Sequence, residues 1–274
     1  MLEADEQRRR ELLTFVVAGG GPTGVELAAS IMDFTGKVLT RDYPSLAGYL
    51  RVVLIEAQDR LLSGLKENTG ELALAGLRSR GIEVMMNSRI SRMWEAGVET
   101  ADGKTVPTRT VVWAAGIGTV DAVASMPFEK AKDGRIKVDE YLEVPGSEGV
   151  YAVGDCAHSL QGDGSSPYPA THQVAMEQGP ACARNIIRRM DGDRQLPFRY
   201  RFMGQLIYMG RNTAVAQIVG VVFNGLAAAS LRRALYLWMV ISYLGLLMGV
   251  KSKLNVALDW SFAYFYRRNT ARIE

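Results

Sequence analysis

The stretch Phe15-Val-Val-Ala-Gly-Gly-Gly-Pro-Thr-Gly-Val-Glu26 constrains this chain more than any other. Phe15 to Ala18 is an apolar run stopped by glycine, the pattern of a buried strand, and Val25 to Phe34 reads as a helix whose first turn faces the glycines. Between them, Gly19-x-Gly21-x-x-Gly24 has the spacing that seats a dinucleotide pyrophosphate. The first glycine permits the tight turn, the second lets phosphate reach the backbone without a Cβ in the way, and the third lets helix lie close on strand. Unpaired N–H groups and the positive end of the helix dipole then hold the anion. A glycine-rich loop alone is more often just a loop. The strand before it, the helix after it and an acidic strand end downstream turn this one into a nucleotide site.

That acid is Glu56, which ends Arg51-Val-Val-Leu-Ile-Glu56, a run of the kind buried on both faces of a parallel sheet. It follows the loop by more than the usual interval of about 20 residues, and an excursion over Gly36 to Tyr49, with Pro44 and Gly48, accounts for the excess. A carboxylate there accepts from two ribose hydroxyls and repels a 2′-phosphate, which predicts NADH over NADPH. The competing reading is a helix-capping or merely exposed glutamate. Next come a helix over Glu67 to Arg80, ended by Gly81, and a strand over Ile82 to Met86. Turn signals at Glu95-Ala-Gly97 and Ala101-Asp-Gly103 make residues 89–106 a small antiparallel meander, and Thr110 to Gly116 returns as a buried strand. Residues 13–117 are thus an α/β, Rossmann-like nucleotide domain, and residues 1–12 a charged lead-in helix.

Beyond Gly118 the pattern changes. Gly134 to Asp139 and Val150 to Asp155 read as strands bracketing an irregular link, and Pro169 to Met190 as a helix with Gly179-Pro180 a candidate point of interruption. Asp155, directly after a strand and a glycine, suits a ribose or sugar-alcohol hydroxyl, and equally suits a turn. With 274 residues the chain has room for roughly two domains. A net charge of +3 with scattered basic residues gives nucleic-acid binding no support. Cys156 and Cys182 are too few and too far apart for a disulfide framework or metal finger, which predicts reduced thiols in a cytosolic compartment. His158 and His172 lack a third ligand at helical spacing, so no metal is expected. Residues 1–11 are charged and form no secretory signal.

The apolar excess lies near the C-terminus. Ala214 to Leu231 reads as strand, then loop or helix start. Ala234 to Val250 is uncharged and at the lower limit for crossing a bilayer, about 17 residues, with Arg232-Arg233, Lys251 and Lys253 flanking it. An amphipathic stretch follows over Leu254 to Arg268, with Trp260, Phe262, Tyr264, Phe265 and Tyr266 as headgroup anchors. Interfacial attachment is the favoured reading, against a true span or a buried core or dimer helix.

In their order and spacing, Phe15 to Glu26, Thr110 to Gly116, Val150 to Ala157 (VYAVGDCA) and His172 to Gly179 (HQVAMEQG) resemble the two-dinucleotide-domain flavoproteins. Within these they most resemble the type II NADH dehydrogenases, the single-subunit NADH:quinone oxidoreductases, over essentially the whole chain. The resemblance implies an NADH domain, the second half of a FAD domain over residues 118–200, and a membrane-association region over 201–274 with amphipathic C-terminal helices. It implies FAD and NAD(H) as cofactors, and hydride transfer from NADH to FAD followed by two electrons to a quinone, without proton pumping. Its implied partners are the quinone, the cytoplasmic face of a membrane, bound peripherally or monotopically, and a second copy of the chain. Gly19, Gly21, Gly24 and Glu56 would hold NADH, with Glu26 matching the glutamate beside the nicotinamide and Ala115 and Gly116 the backbone passing close to it. Gly154 and Asp155 match the segment that bonds the flavin ribityl and pyrophosphate. Gln173 and Gln178 match the Gln-x-Ala-x-x-Gln positions by the isoalloxazine ring and quinone pocket. Glu26 and Gln173 are the expected orienting groups of the reaction.

The sequence also departs from that pattern. His172 replaces an alanine, and Arg201-Phe202-Met203-Gly204 replaces a stretch that carries an Asp-Lys pair. No Gly-rich loop for the ADP half of FAD precedes Phe15, so the expectation is a C-terminal portion of a longer protein or a truncated reading frame. Two other readings stand beside the main one: an inert NADH-binding membrane-associated fragment, and a sulfide:quinone reductase-like flavoprotein, whose chemistry relies on cysteines.

Overall fold

The structure is a computed structural model that describes residues 3–164, 166–202, 204–209, 214–218, 221–223, 230 and 250–265. The chain divides into two compact units, residues 1–115 with 204–274, and residues 116–203.

The first unit opens with α1 (Glu6–Leu12), whose N-terminus is capped by the Asp5 side chain accepting from the Gln7 and Arg8 N–H groups. Strand β1 (Thr14–Ala18) runs into the glycine loop and α2 (Pro22–Phe34), which carries proline at its first position, where no N–H is needed. The predicted excursion is a π-helical turn (Thr35–Leu39), a single turn α3 (Thr40–Asp42) and a 3-10 stretch (Pro44–Tyr49). Then come β2 (Arg51–Ile55), α4 (Glu67–Arg78), β3 (Glu83–Met85), a meander of β4 (Ile90–Trp94), β5 (Gly97–Thr100) and β6 (Thr105–Pro107), and β7 (Thr110–Trp113).

The main sheet is parallel in the order β3-β2-β1-β7, with Phe15 opposite both Val52 and Thr110. Its alternation separates two apolar layers. Val17, Val52 and Leu54 pack with Val25, Ala28 and Ala29 of α2 and Ala73 and Leu77 of α4, while Val16, Val53 and Ile55 pack with Val98 and Val106 of the meander. Each valine, leucine or isoleucine among them, removed fully from water, stabilises the fold by about 1.5–3 kcal/mol. The last strand differs from its expectation as a buried strand. As the sheet's edge, β7 is only half-buried, and Trp113 is 55% exposed.

The C-terminal part of this unit holds a second, antiparallel sheet, β10 (Gly204–Tyr208), β11 (Ala214–Ile218) and β12 (Val221–Phe223), in that order. Ile207, Met209 and Val215 enter the same core as α2 and α4. One polar tie completes this joint. Helix α4 has no side-chain cap of its own; the buried Gln217 supplies one, its Oε1 accepting from the Lys66 N–H at 2.9 Å and the Thr69 hydroxyl at 3.3 Å. The final described helix, α7 (Val250–Phe265), exposes Val250, Leu254 and Leu258 on one face. Of the predicted apolar run ending at Val250, the segment Ala234 to Gly249 lies outside the described residues. Among the described residues no helix is long and apolar enough to cross a membrane.

The second unit contains α5 (Asp121–Ala124), the short parallel pair β8 (Ile136–Lys137) and β9 (Ala157–His158), and α6 (His172–Met190). Two expectations change here. The strand over Val150 to Asp155 reduces to one bridge, Tyr151 to Glu143, because Gly154 at φ +70° turns the chain into a 3-10 turn over Gly154–Cys156. Helix α6 is not interrupted at Gly179-Pro180 but runs through Pro180. An interior proline costs about 3 kcal/mol, and buried Val174, Gln178, Cys182 and Asn185 hold the helix on both sides of it.

Replacing Gln217 with alanine should lower stability by about 1–3 kcal/mol, because a buried cap and its acceptor are lost together. Urea unfolding should show a lower midpoint with an unchanged slope, and amide exchange should quicken first in the opening turn of α4.

Candidate dinucleotide site

The glycine loop leaves β1 at the point where the sheet order reverses, between the ends of β1 and β7, the usual place for a ligand in an open α/β sheet. Two of the motif's three glycines are required by the protein's own packing. Gly19 takes φ +107°, and a Cβ there would meet the Ala114 carbonyl oxygen at 2.5 Å, so the end of β7 presses on the turn. A Cβ at Gly24 would strike the Gly19 carbonyl oxygen, which makes Gly24 the contact that seats α2 on the strand. Gly21 is different: it has an ordinary φ of −71°, and no protein atom lies within 4 Å of the position a Cβ would take. Nothing in the protein's own packing requires glycine there. The space is open, and the helix that follows has no side-chain cap on its first turn.

The backbone around this space is partly spent. The Gly19 N–H bonds the Ile55 carbonyl at 2.8 Å, and the Gly20 carbonyl accepts from Leu62 at 2.9 Å. Among the described residues, the N–H groups of Gly21, Thr23 and Gly24 have no partner, and they lie at the positive end of α2. Glu56 follows β2 and holds the loop: one carboxylate oxygen accepts from the Gly20 N–H and the other from the Gln58 N–H at 2.8 Å. Each oxygen keeps a second lone pair for a hydroxyl donor.

Glu26 lies two residues beyond Gly24 on α2 and is half-buried. Its Oε1 accepts from the Tyr208 N–H of β10 at 2.9 Å. Burial pushes the Glu26 carboxyl above the ordinary carboxylate range, and the Tyr208 N–H opposes that rise. No sequence signal pointed to Tyr208, because the group involved is a main-chain N–H 182 positions away. Ala115 ends the first unit, and Gly116, at φ +103° with open space where a Cβ would stand, begins the second.

Within the second unit, Asp155 is exposed on the turn that follows Gly154. Gln178, 1% exposed, accepts the Gly154 N–H at 2.6 Å through Oε1, so it shapes the turn that carries Asp155. Gln173 is exposed near the start of α6. The cysteines do not form a reactive pair: both are free, Cys156 bonds the Val153 carbonyl, and burial pushes the Cys182 thiol upward. A cavity of about 400 Å³ is lined by Lys130, Lys132, Asp133, Lys137 and His158. Most of its charges are internally satisfied, Lys137 by Glu129 and Asp133 by Arg135 and His158. Among the described residues no group of His, Cys, Asp and Glu could hold a metal ion.

Residues 2–179 match the family model of the pyridine nucleotide-disulphide oxidoreductases. The chain belongs to that family. It is similar to the internal alternative NAD(P)H-ubiquinone oxidoreductase A1, mitochondrial, of Arabidopsis thaliana, at 30% identity over 98% of this chain and 54% of the relative. The type II NADH:quinone oxidoreductase Ndh of Mycobacterium tuberculosis is 28% identical over 97% of this chain and 57% of its own length. The chain therefore spans about half the length of the curated relatives it matches. Its fold is that of NDH2 from Plasmodium falciparum, solved in complex with NADH, with a TM-score of 0.80 at 18% identity, covering 97% of this chain and 68% of that one.

Two outcomes follow from this geometry. Gly21→Ala should fold with near-native stability and lose NADH binding by at least tenfold, whereas Gly24→Ala should lose stability by about 3 kcal/mol or more as helix and strand are forced apart; calorimetric titration and thermal melting separate the two. Because its folded pKa lies above the unfolded value, Glu26 favours folding below about pH 4.5 and loses that contribution as pH rises through the raised value. Glu26→Gln should thus gain stability relative to the parent between pH 4 and pH 7, measured by urea midpoints at both.

Proposed function

We propose that this protein is an NADH:quinone oxidoreductase that passes hydride from NADH to FAD and then two electrons to a quinone, pumping no protons. The observation that carries the reading is the open space at Gly21, lined by unpaired N–H groups at the start of α2 and flanked by Glu56. The family match and the names of the relatives support it.

The residues present fit NADH and the ribityl part of FAD. For NADH, the Gly21 opening admits a pyrophosphate, the first-turn N–H groups of α2 hold its charge, and Glu56 orients the adenosine ribose. Glu56 also disfavours a 2′-phosphate through like-charge repulsion, which supports NADH over NADPH. Glu26 is the polar group for the nicotinamide end. For FAD, the exposed Asp155 carboxylate, on a turn fixed by Gln178, has the chemistry to accept ribityl hydroxyls. A bound flavin would supply hydride acceptance from the nicotinamide and the two-electron reduction of a quinone. The protein's share is alignment: Glu26 on the nicotinamide side and exposed Gln173 on the quinone side orient the partners, and no residue need act as a nucleophile.

The quinone's solubility requires a membrane surface. The exposed Val250, Leu254 and Leu258 of α7, beside Lys251 and Lys253, support interfacial attachment of the C-terminal region.

The test is a flavin absorbance spectrum of the purified chain in detergent, followed by NADH and then a short-chain quinone. Bound flavin that bleaches with NADH and recolours with quinone is the expected outcome. Colourless protein that still binds NADH would assign this chain nucleotide binding alone and overturn the oxidoreductase reading for it.

A further inference from the structure

The C-terminal sheet is not needed to complete the nucleotide fold, since β1, β2, β3 and β7 already form its parallel sheet. Yet β10 lies at the edge of its own sheet and donates the Tyr208 N–H to Glu26. Tyr208 is 37% exposed and the bond lies near the surface, so water competes for both groups and the bond acts by setting the carboxylate's orientation. The contact is also asymmetric within the carboxylate: Oε1 spends one lone pair on the Tyr208 N–H, and Oε2 has no partner among the described residues.

We propose that Tyr208 is a positioning residue of the nucleotide site, its main-chain N–H fixing the Glu26 carboxylate so that Oε2 is the acceptor presented to the nicotinamide carboxamide. The proposal rests on the reading of Glu26 as the nicotinamide-side group. A carboxylate on a flexible side chain loses rotamer freedom when it binds a ligand, and one already pinned by a backbone donor loses less. The pin comes from a rigid source. Ile207 and Met209, on either side of Tyr208, are 0% and 1% exposed, and Met209 packs so closely on Gly76 of α4 that a Cβ there would meet its Cε at 2.9 Å. The strand that sets Glu26 is itself locked by the core and by the Gln217 cap on α4. Two elements far apart in sequence thus present one acceptor. The bond to Glu26 comes from the Tyr208 main-chain N–H.

The experiment replaces Tyr208 with 4-hydroxyphenyllactate by nonsense suppression, turning one amide into an ester that lacks the N–H. Tyr208→Pro serves as a second way of removing the same donor, and Tyr208→Phe as a control that keeps it. NADH and ADP-ribose affinities are measured by titration calorimetry for each variant, in the parent and in a Glu26→Ala background. The ester should weaken NADH about three- to tenfold, leave ADP-ribose unchanged, and have no further effect when Glu26 is alanine. Tyr208→Phe should bind as the parent does. An ester that weakens NADH and ADP-ribose alike, or weakens NADH equally without Glu26, would show a general loss of structure and overturn the positioning role. An ester that binds NADH like the parent, while Glu26→Ala alone weakens it, would overturn the role and leave the reading of Glu26 intact. If Glu26→Ala binds NADH as tightly as the parent, the reading of Glu26 falls first.

Discussion

Helix α2 can lie on its strand only because Gly24 has no side chain to push it off the Gly19 carbonyl oxygen. Much of the nucleotide half depends on that contact. It brings Val25, Ala28 and Ala29 into the layer with Val17 and Leu54, and it points the first-turn N–H groups of α2 at the loop. Room for a side chain at Gly19 is removed separately, by Ala114 and Ala115 just beyond the end of β7. The open start of α2 and the aliphatic layer beneath the helix therefore both depend on the Gly24 contact.

Charge is handled around this core by main-chain donors more than by cations. Glu56 is neutralised by no lysine or arginine among the described residues; two backbone N–H groups hold it against the loop. Glu26 is held by another backbone N–H, from β10. Carboxylates stabilised in this way stay available to a ligand, because a backbone amide spends one lone pair and brings no mobile side chain into the site. Ion pairs of the first unit lie elsewhere, as in the Arg109 bridge to Glu11 and Glu95, which ties α1 to the meander region. Those fasten the scaffold and leave the loop free.

The second unit follows a similar logic with different parts. Gln178 is buried in α6 and spends its carbonyl on Gly154, so an amide side chain fixes a turn with positive φ and leaves Asp155 exposed. The helix that provides Gln178 also contains Pro180, and its burial on both sides of the proline outweighs the missing hydrogen bond. Local propensity pointed to a break, and tertiary packing decided otherwise.

The loop, the helix after it, the second strand with Glu56 at its end and the meander were all legible in the sequence, because each is a local pattern with its own cause: glycine where a Cβ would collide, unbroken aliphatic runs where a strand is buried on both faces, turn residues where a hairpin reverses. The edge position of β7, the continuity of α6 through Pro180 and the single bridge at Tyr151 were not, since each depends on which segments lie alongside. Least legible were the donors to Glu26 and the cap of α4. A backbone N–H has no signature in a sequence, and Gln217 is ordinary until the fold carries it to Lys66 and Thr69. The sequence by itself determined the nucleotide motif, because close approach demands specific residues. Only the tertiary structure decided how its carboxylates are held, because that depends on main-chain groups such as the one β10 brings to Glu26 from 182 positions away.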